Sequence, residues 1–99
     1  MSNFTVRVEL HSATWQDYDV LHEAMASEGF SRTIRSDAGA AYALPTAEYV
    51  ISAGLAIGDV RERAKRAAQR TGKSSEAIVA ETVRWAWYGL TEARRSGTY

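Results

Sequence analysis

The first residues of the chain that could do chemistry are Glu9 and His11, which stand two positions apart in the run VRVELH. At that spacing in an extended strand, both side chains project from the same face. A carboxylate and an imidazole placed together can bind a divalent metal ion, or act as base and acid on a ribose 2′-hydroxyl. Arg7 would then balance phosphate charge. The alternative is an exposed charged cluster without a catalytic role.

A strand from Phe4 to His11 must position these side chains, because apolar and polar residues alternate there with a period of two. The apolar side of the strand would enter the core, and the polar side would meet water, a ligand or another chain. The predicted core residues of this strand are Phe4, Val6, Val8 and Leu10.

The run Arg84-Trp85-Ala86-Trp87-Tyr88 has the most unusual composition in the chain. Trp85 and Trp87, next to an arginine, could stack on unpaired bases. The same residue types are enriched at protein interfaces, and one of the tryptophans could instead close the open end of a sheet. The end of the chain, from Thr91 to Tyr99, lacks an apolar face, and we expect it to be frayed.

Basic residues supply further candidates for contact with a nucleic-acid backbone, because phosphate contacts need only positive charge and reach. They are Arg32 and Arg35 near the middle of the chain, and Arg61 and Lys65 in a later arginine-rich segment. The formal net charge is zero, yet residues 1–59 carry three bases and eight acids, while residues 60–99 carry nine bases and four acids. This asymmetry can indicate a protein that binds an anionic partner or that associates with itself through complementary charges. A solvated arginine-rich helix would also produce it.

Two helices are predicted, over residues 15–28 and 58–71, from apolar residues at helical spacing. Thr14 with Asp17 would cap the first helix, and Asp59 with Glu62 the second. Between the helices, Phe30 to Ser52 is predicted to form a hairpin that Pro45 interrupts, because proline lacks an N–H group. A last strand is expected over residues 77–82.

The resulting order βαββαβ is the ferredoxin-like pattern. We therefore expect an α+β protein in which residues 1–90 form one domain, with a four-stranded antiparallel sheet and both helices on one face. The other face would be open, and open sheets of this kind bind RNA or pair with a second copy.

Several classes of function are disfavoured by the sequence. The chain contains no cysteine, no glycine-rich phosphate loop and no H-E-x-x-H pattern, which disfavours disulfide frameworks, kinase chemistry and zinc hydrolysis. No apolar run approaches the roughly 20 residues that cross a bilayer, and the first ten residues lack the pattern of a signal peptide. We expect a cytoplasmic protein without membrane contact.

The element order, together with the run ISAGLAIGDV at residues 51–60, resembles the GhoS-type antitoxins of type V toxin–antitoxin systems. The resemblance covers roughly residues 4–82. It implies a ferredoxin-like fold close to the Cas2-like nucleases, and sequence-selective endoribonuclease cleavage of messenger RNA. Cas2-like nucleases hold a divalent metal through an aspartate near the end of the first strand. This chain has Glu9 there, which could hold Mg²⁺ or Mn²⁺ if the protein is catalytic. The alternative is a non-catalytic homodimer that binds a protein or a small ligand through its open sheet or its aromatic segment.

Overall fold

The computed structural model describes residues 1–93, which form a mixed α+β protein. Residues 94–99, part of the predicted frayed end, lie outside the described residues. The strands are β1 (Ser2–Leu10), β2 (Thr33–Arg35), β3 (Ala41–Ala43), β4 (Glu48–Ala53) and β5 (Ser75–Thr82), and the helices are α1 (Trp15–Ser27) and α2 (Ile57–Gln69).

The main sheet has three antiparallel strands, with β1 in the middle between β4 and β5. The alternation in β1 works as predicted, since its even-numbered residues from Phe4 to Leu10 are buried. Both helices pack on this buried face. The side chains that they contribute to the core include Leu21, Ala24, Met25, Val60, Ala64 and Ala67.

The single four-stranded sheet expected from the sequence is not what forms, because the hairpin strands separate. Beyond the paired residues Ser31 and Val50, β2 leaves β4 and pairs with β3 in a second, two-stranded sheet. The break lies at Pro45, which has no N–H to donate, and at Ala47, whose φ of 67° is outside the strand region. β3 and β4 are therefore distinct strands of different sheets.

The ends of the helices are only partly as predicted. Thr14 and Asp17 form the expected capping box of α1, in which the Thr14 amide donates to Asp17 Oδ2 over 2.9 Å. The Asp59–Glu62 cap is wrong. α2 begins at Ile57 after Ala56, which offers no side-chain cap, so Asp59 lies inside the first turn.

The chain after β5 crosses the open side of the main sheet. We call residues 83–90 the aromatic segment. Trp85 Nε1 donates a hydrogen bond to Thr5 Oγ1 over 3.1 Å, and the main chain then reaches β3, where the Ala43 amide donates to Thr91 O and the Ala93 amide to Ala41 O. The last strand therefore ends at Thr82. Thr91 to Ala93 is paired with β3, where a frayed end was expected.

Candidate functional site on the open face of the sheet

The face of the main sheet that carries no helix is lined by the odd-numbered residues of β1. Thr5, Arg7 and Glu9 project from it, and Arg7 and Glu9 are exposed. Arg7 lies between Glu48 on β4 and Ile78 on β5. The aromatic segment covers the Thr5 end of this face and leaves the Glu9 end open, which gives the face two chemically different ends.

A cluster of three potential ligands occupies the open end. Glu9, His11 and Glu76 each offer a ligand atom within 4.8 Å of the others, and all three residues are exposed. His11 Nε2 lies 3.6 Å from Glu76 Oε1. The antiparallel register places Glu76 directly beside Glu9. The structure thus brings the two predicted catalytic residues together and adds Glu76, which the sequence analysis did not single out.

The His11 ring is oriented by the loop that precedes β5. The His11 amide donates to Ser74 O over 2.9 Å, and Nδ1 lies 3.1 Å from Ser74 Oγ. In the tautomer with its proton on Nδ1, the ring donates to Ser74 and keeps a free lone pair on Nε2, on the side of Glu76. Metal-binding histidines are commonly fixed in this way, through a hydrogen bond from the other ring nitrogen.

Two carboxylates and one imidazole nitrogen form a donor set that suits a divalent cation. Such ligands lie about 2.0–2.2 Å from a transition-metal ion and thus up to about 4.4 Å from each other, so a small side-chain movement would close the cluster around one. Mg²⁺ prefers oxygen ligands, whereas Mn²⁺ also accepts imidazole. The residues present therefore fit Mn²⁺ better than Mg²⁺.

Arg7 stands beside this cluster. With Glu9, Glu76, Ala77 and Ile78 it lines a shallow cavity of about 280 Å³ on the open face. A guanidinium group next to two carboxylates and an imidazole can pair with a phosphate while the cluster acts on a neighbouring oxygen. The structure thus places Arg7 beside Glu9, the first of the two predicted catalytic residues.

The predicted aromatic residues lie at the other end of the same face. The Trp87 ring packs against Tyr42 of β3, with ring centroids 5.6 Å apart and planes tilted by 54°. Trp85 and Trp87 border a cleft of about 490 Å³ whose opposite wall is the turn after β2, with Arg35 and Asp37. Arg35 is held in place by a hydrogen bond from Nη1 to Gly39 O over 2.8 Å.

The remaining predicted basic residues are not part of this face. Arg61 and Lys65 are exposed on α2, which packs on the opposite side of the sheet, and Arg61 pairs with Glu62 over 3.0 Å. Arg32 lies close enough to α1 for its charge to lower the pKa of His22. The arginine-rich helix and the open face therefore cannot contact one flat ligand together.

His22 is half-buried and lies at the boundary of the core. Its Nδ1 lies 2.6 Å from the hydroxyl of Tyr49, a fully buried side chain. Burial lowers the pKa of His22, with a further contribution from Arg32, and burial raises the pKa of Tyr49 to about 12. The pair satisfies two polar groups at the edge of the core.

These features define a class: a small α+β protein with an open sheet face that carries a carboxylate–histidine cluster at one end and an aromatic cleft at the other. No known protein-family model matches the chain, and no curated protein matches it either. Among residues 1–93, neither helix has the length and apolar character to cross a membrane.

Proposed function

We propose that this protein binds single-stranded RNA on the open face and cleaves it at the cluster of Glu9, His11 and Glu76. The observation that carries the proposal is that these three side chains lie close together, with Arg7 alongside, at the uncovered end of the open face. Endoribonuclease activity is what the resemblance to GhoS-type antitoxins implies, and the cluster supports it with groups that suit that chemistry.

The chemistry that fits these groups is attack of a ribose 2′-oxygen on the adjacent phosphorus. The P–O5′ bond breaks, a 2′,3′-cyclic phosphate forms, and the proton lost by the 2′-hydroxyl is balanced by one gained at the 5′ oxygen. Glu9 is placed to accept the first proton, and His11 to donate the second. Arg7 stabilises the charge that develops on the phosphate.

A divalent ion held by Glu9, His11 Nε2 and Glu76 would supply Lewis-acid stabilisation of the same phosphate. The ion and the proton-transfer role make competing demands on His11, because a nitrogen that binds a cation carries no proton. Removal of metal ions by a chelator therefore distinguishes metal-assisted cleavage from acid–base cleavage by the side chains alone. Loss of cleavage in chelator selects the metal-assisted version, and unchanged cleavage selects acid–base catalysis by the side chains alone.

The position of the hairpin relative to β4 supports a relation between this fold and the ferredoxin-like fold that the resemblance implies. The pair Ser31–Val50 places the start of the hairpin beside β4, where the fourth strand of a ferredoxin-like sheet would lie. We infer that β2 is the remnant of that strand, turned away by the break around Pro45. If this strand is counted, the strand order β5-β1-β4-β2 with both helices on one face would correspond to the ferredoxin-like arrangement.

The test is an electrophoretic assay of the purified protein with a mixed pool of single-stranded RNA, with Mn²⁺, with Mg²⁺ and with chelator. We expect discrete fragments from the wild-type protein and none from Glu9→Ala, His11→Ala or Glu76→Ala. The matched control is Glu81→Ala, because Glu81 is an exposed carboxylate on β5 that projects from the opposite face from Glu76. Cleavage that survives all three cluster substitutions would show that the site lies elsewhere.

A non-catalytic homodimer is the second candidate function, and β5 favours it. β5 pairs only with β1 within the described residues, it is eight residues long, and Ile78 is 67% exposed on its open-face side. An unprotected edge of this kind can pair with the same strand of a second copy. Sedimentation equilibrium of the wild type and of Ile78→Lys tests this function, which requires a dimer that the charged substitution disrupts. A monomeric wild type would eliminate it.

A further inference from the structure

We propose that the cleft between the aromatic segment and the turn after β2 is a binding site for one RNA base, and that it selects bases that carry an exocyclic amino group. This inference rests on the proposed function, since it names how RNA would be held next to the cleavage cluster. It assigns the stacking surface, the selecting group and the phosphate contacts to separate residues.

The stacking surface is Trp85. Its indole is fixed by the hydrogen bond from Nε1 to Thr5 Oγ1, and Thr5 Oγ1 in turn lies 2.7 Å from Thr82 Oγ1 on the next strand. Despite this attachment, 37% of the Trp85 residue surface remains exposed. A ring that is already held in position loses little conformational entropy when a base stacks on it.

The selecting group is Asp37, on the opposite wall of the cleft. Asp37 follows Ser36 in a tight turn that closes when the Gly39 amide donates to Ser36 O over 2.9 Å, with Gly39 at a φ of 92°. The Asp37 carboxylate is exposed and makes neither a hydrogen bond nor an ion pair within residues 1–93. A free carboxylate accepts hydrogen bonds from amino groups such as cytosine N4, and it disfavours uracil, whose edge offers a carbonyl there.

The phosphate contacts would come from Arg35 and Arg84, which also border the cleft. Arg35 is positioned by its bond to Gly39 O, and Arg84 is exposed. Two guanidinium groups outweigh the single carboxylate of Asp37, so the rim of the cleft complements a phosphodiester. The volume of about 490 Å³ lies within the usual range of about 300–1,000 Å³ for small-ligand sites.

The cleft and the cleavage cluster are linked along β1. Thr5 supports Trp85, Arg7 follows on the same face, and Glu9 begins the cluster. Thr5 and Glu9 are four residues apart in a strand, which corresponds to about 13 Å. When a base is held on Trp85, a phosphodiester bond further along the same RNA strand therefore lies at the cluster. The distance between that base and that bond is short and fixed. The base in the cleft would determine which bond is cut.

Binding is measured by fluorescence anisotropy with labelled 2′-O-methyl homopolymers of A, C and U in chelator, conditions under which the proposed attack cannot occur. We expect the A and C oligomers to bind about fivefold or more tightly than the U oligomer. Trp85→Ala should weaken binding of all three by about 5- to 100-fold, and Asp37→Ala should abolish the preference. Trp15→Ala and Asp19→Ala are matched controls, because both residues are exposed on α1, on the other side of the sheet.

The outcomes separate the two proposals. The base site would be overturned if the wild-type protein bound all three oligomers equally. It would also be overturned if the preference persisted in Asp37→Ala and the affinity persisted in Trp85→Ala. RNA binding itself would remain intact in both cases. Wild-type protein that binds none of the oligomers would overturn the proposed function and this inference together. Asp37 lies in an exposed turn, so Asp37→Ala decides the selectivity even if Trp85→Ala perturbs folding.

Discussion

At the scale of single residues, the structure separates polar groups available for chemistry from those that stabilise the core. Glu9, His11 and Glu76 are exposed and close together, whereas His22 and Tyr49 contact each other at the core boundary. Both histidines follow a leucine in the sequence, and neither lies in a distinctive motif. Only the partner that the fold provides distinguishes their roles.

The Tyr49 hydroxyl should contribute measurably to stability. Tyr49→Phe removes one partner of the 2.6 Å contact with His22 Nδ1 and leaves the half-buried ring nitrogen without its hydrogen bond. We expect the free energy of unfolding to fall by about 0.5–1.5 kcal/mol in urea titrations. The matched control is Tyr88→Phe, since Tyr88 is 94% exposed and its hydroxyl should contribute nothing. Equal losses in both variants would contradict the assignment.

His22 should also make stability depend on pH. Burial lowers its folded-state pKa below the ordinary value of 6.5, so the unfolded chain binds the proton more readily than the folded protein does. Stability therefore rises with pH between the folded-state pKa and 6.5, and it falls on acidification through that window. Arg32 reinforces the effect and Asp19 opposes it. Urea titrations of the wild type and of His22→Gln at several pH values test this, and the variant should show the smaller slope.

At the scale of elements, the junction between α1 and β2 depends on a contact between the two helices. Arg66 donates to both carboxylate oxygens of Glu28, over 2.9 and 3.3 Å, and Arg63 donates to the Glu28 carbonyl over 3.1 Å. The hydrogen bond from Arg66 lowers the pKa of Glu28. The arginines of α2 that sequence analysis could assign only to a solvated or phosphate-binding face thus include two that hold the end of α1.

Gly29, which follows this junction, should not tolerate a side chain. Its φ is 96°, and a Cβ would lie 3.3 Å from Ile51 Cδ1. A left-handed conformation costs a non-glycine residue about 1–2 kcal/mol, so Gly29→Ala should lower the free energy of unfolding by at least that range in urea titrations. Gly54→Ala is the control, because a Cβ there meets no atom within 4 Å and its φ is not positive. An unchanged free energy of unfolding in Gly29→Ala would show that the junction can rearrange.

The sequence predicted the elements better than the way they pair. The period of two in β1 and the cap at Thr14 are local signals, and both were confirmed by the structure. Glu76 was missed because its role depends on the register between β1 and β5, which joins positions 67 residues apart. A signal did exist: antiparallel strands place the start of one beside the end of the other, so an acid at the start of the last strand lies near Glu9. The path of the aromatic segment, in contrast, depends on long-range contacts that no local pattern encodes.

At the scale of the whole molecule, two sheets are held together by few connections. Ser31 and Val50 exchange two main-chain hydrogen bonds, of 2.8 and 2.9 Å. Within residues 1–93, besides the chain connections themselves, the aromatic segment also links the sheets: it bonds to Thr5 on the main sheet and continues into the residues that pair with β3. The small sheet and the cleft beside it should therefore open more readily than the core, where β1 is paired on both sides.

Removing the Trp85 anchor should loosen the small sheet without unfolding the core. The Ala43 amide donates to Thr91 O and the Ala93 amide to Ala41 O, so both join β3 to the end of the chain. In Trp85→Ala, these two amides should exchange with deuterium faster than in the wild type. The amide of Val8, which donates to Ala47 O beside the buried face of the main sheet, should be unchanged. Exchange measured by NMR distinguishes this local opening from a general loss of stability, which would accelerate all three amides together. If none of the three changes, the small sheet is held by its own contacts, and the cleft would then be rigid independently of the anchor.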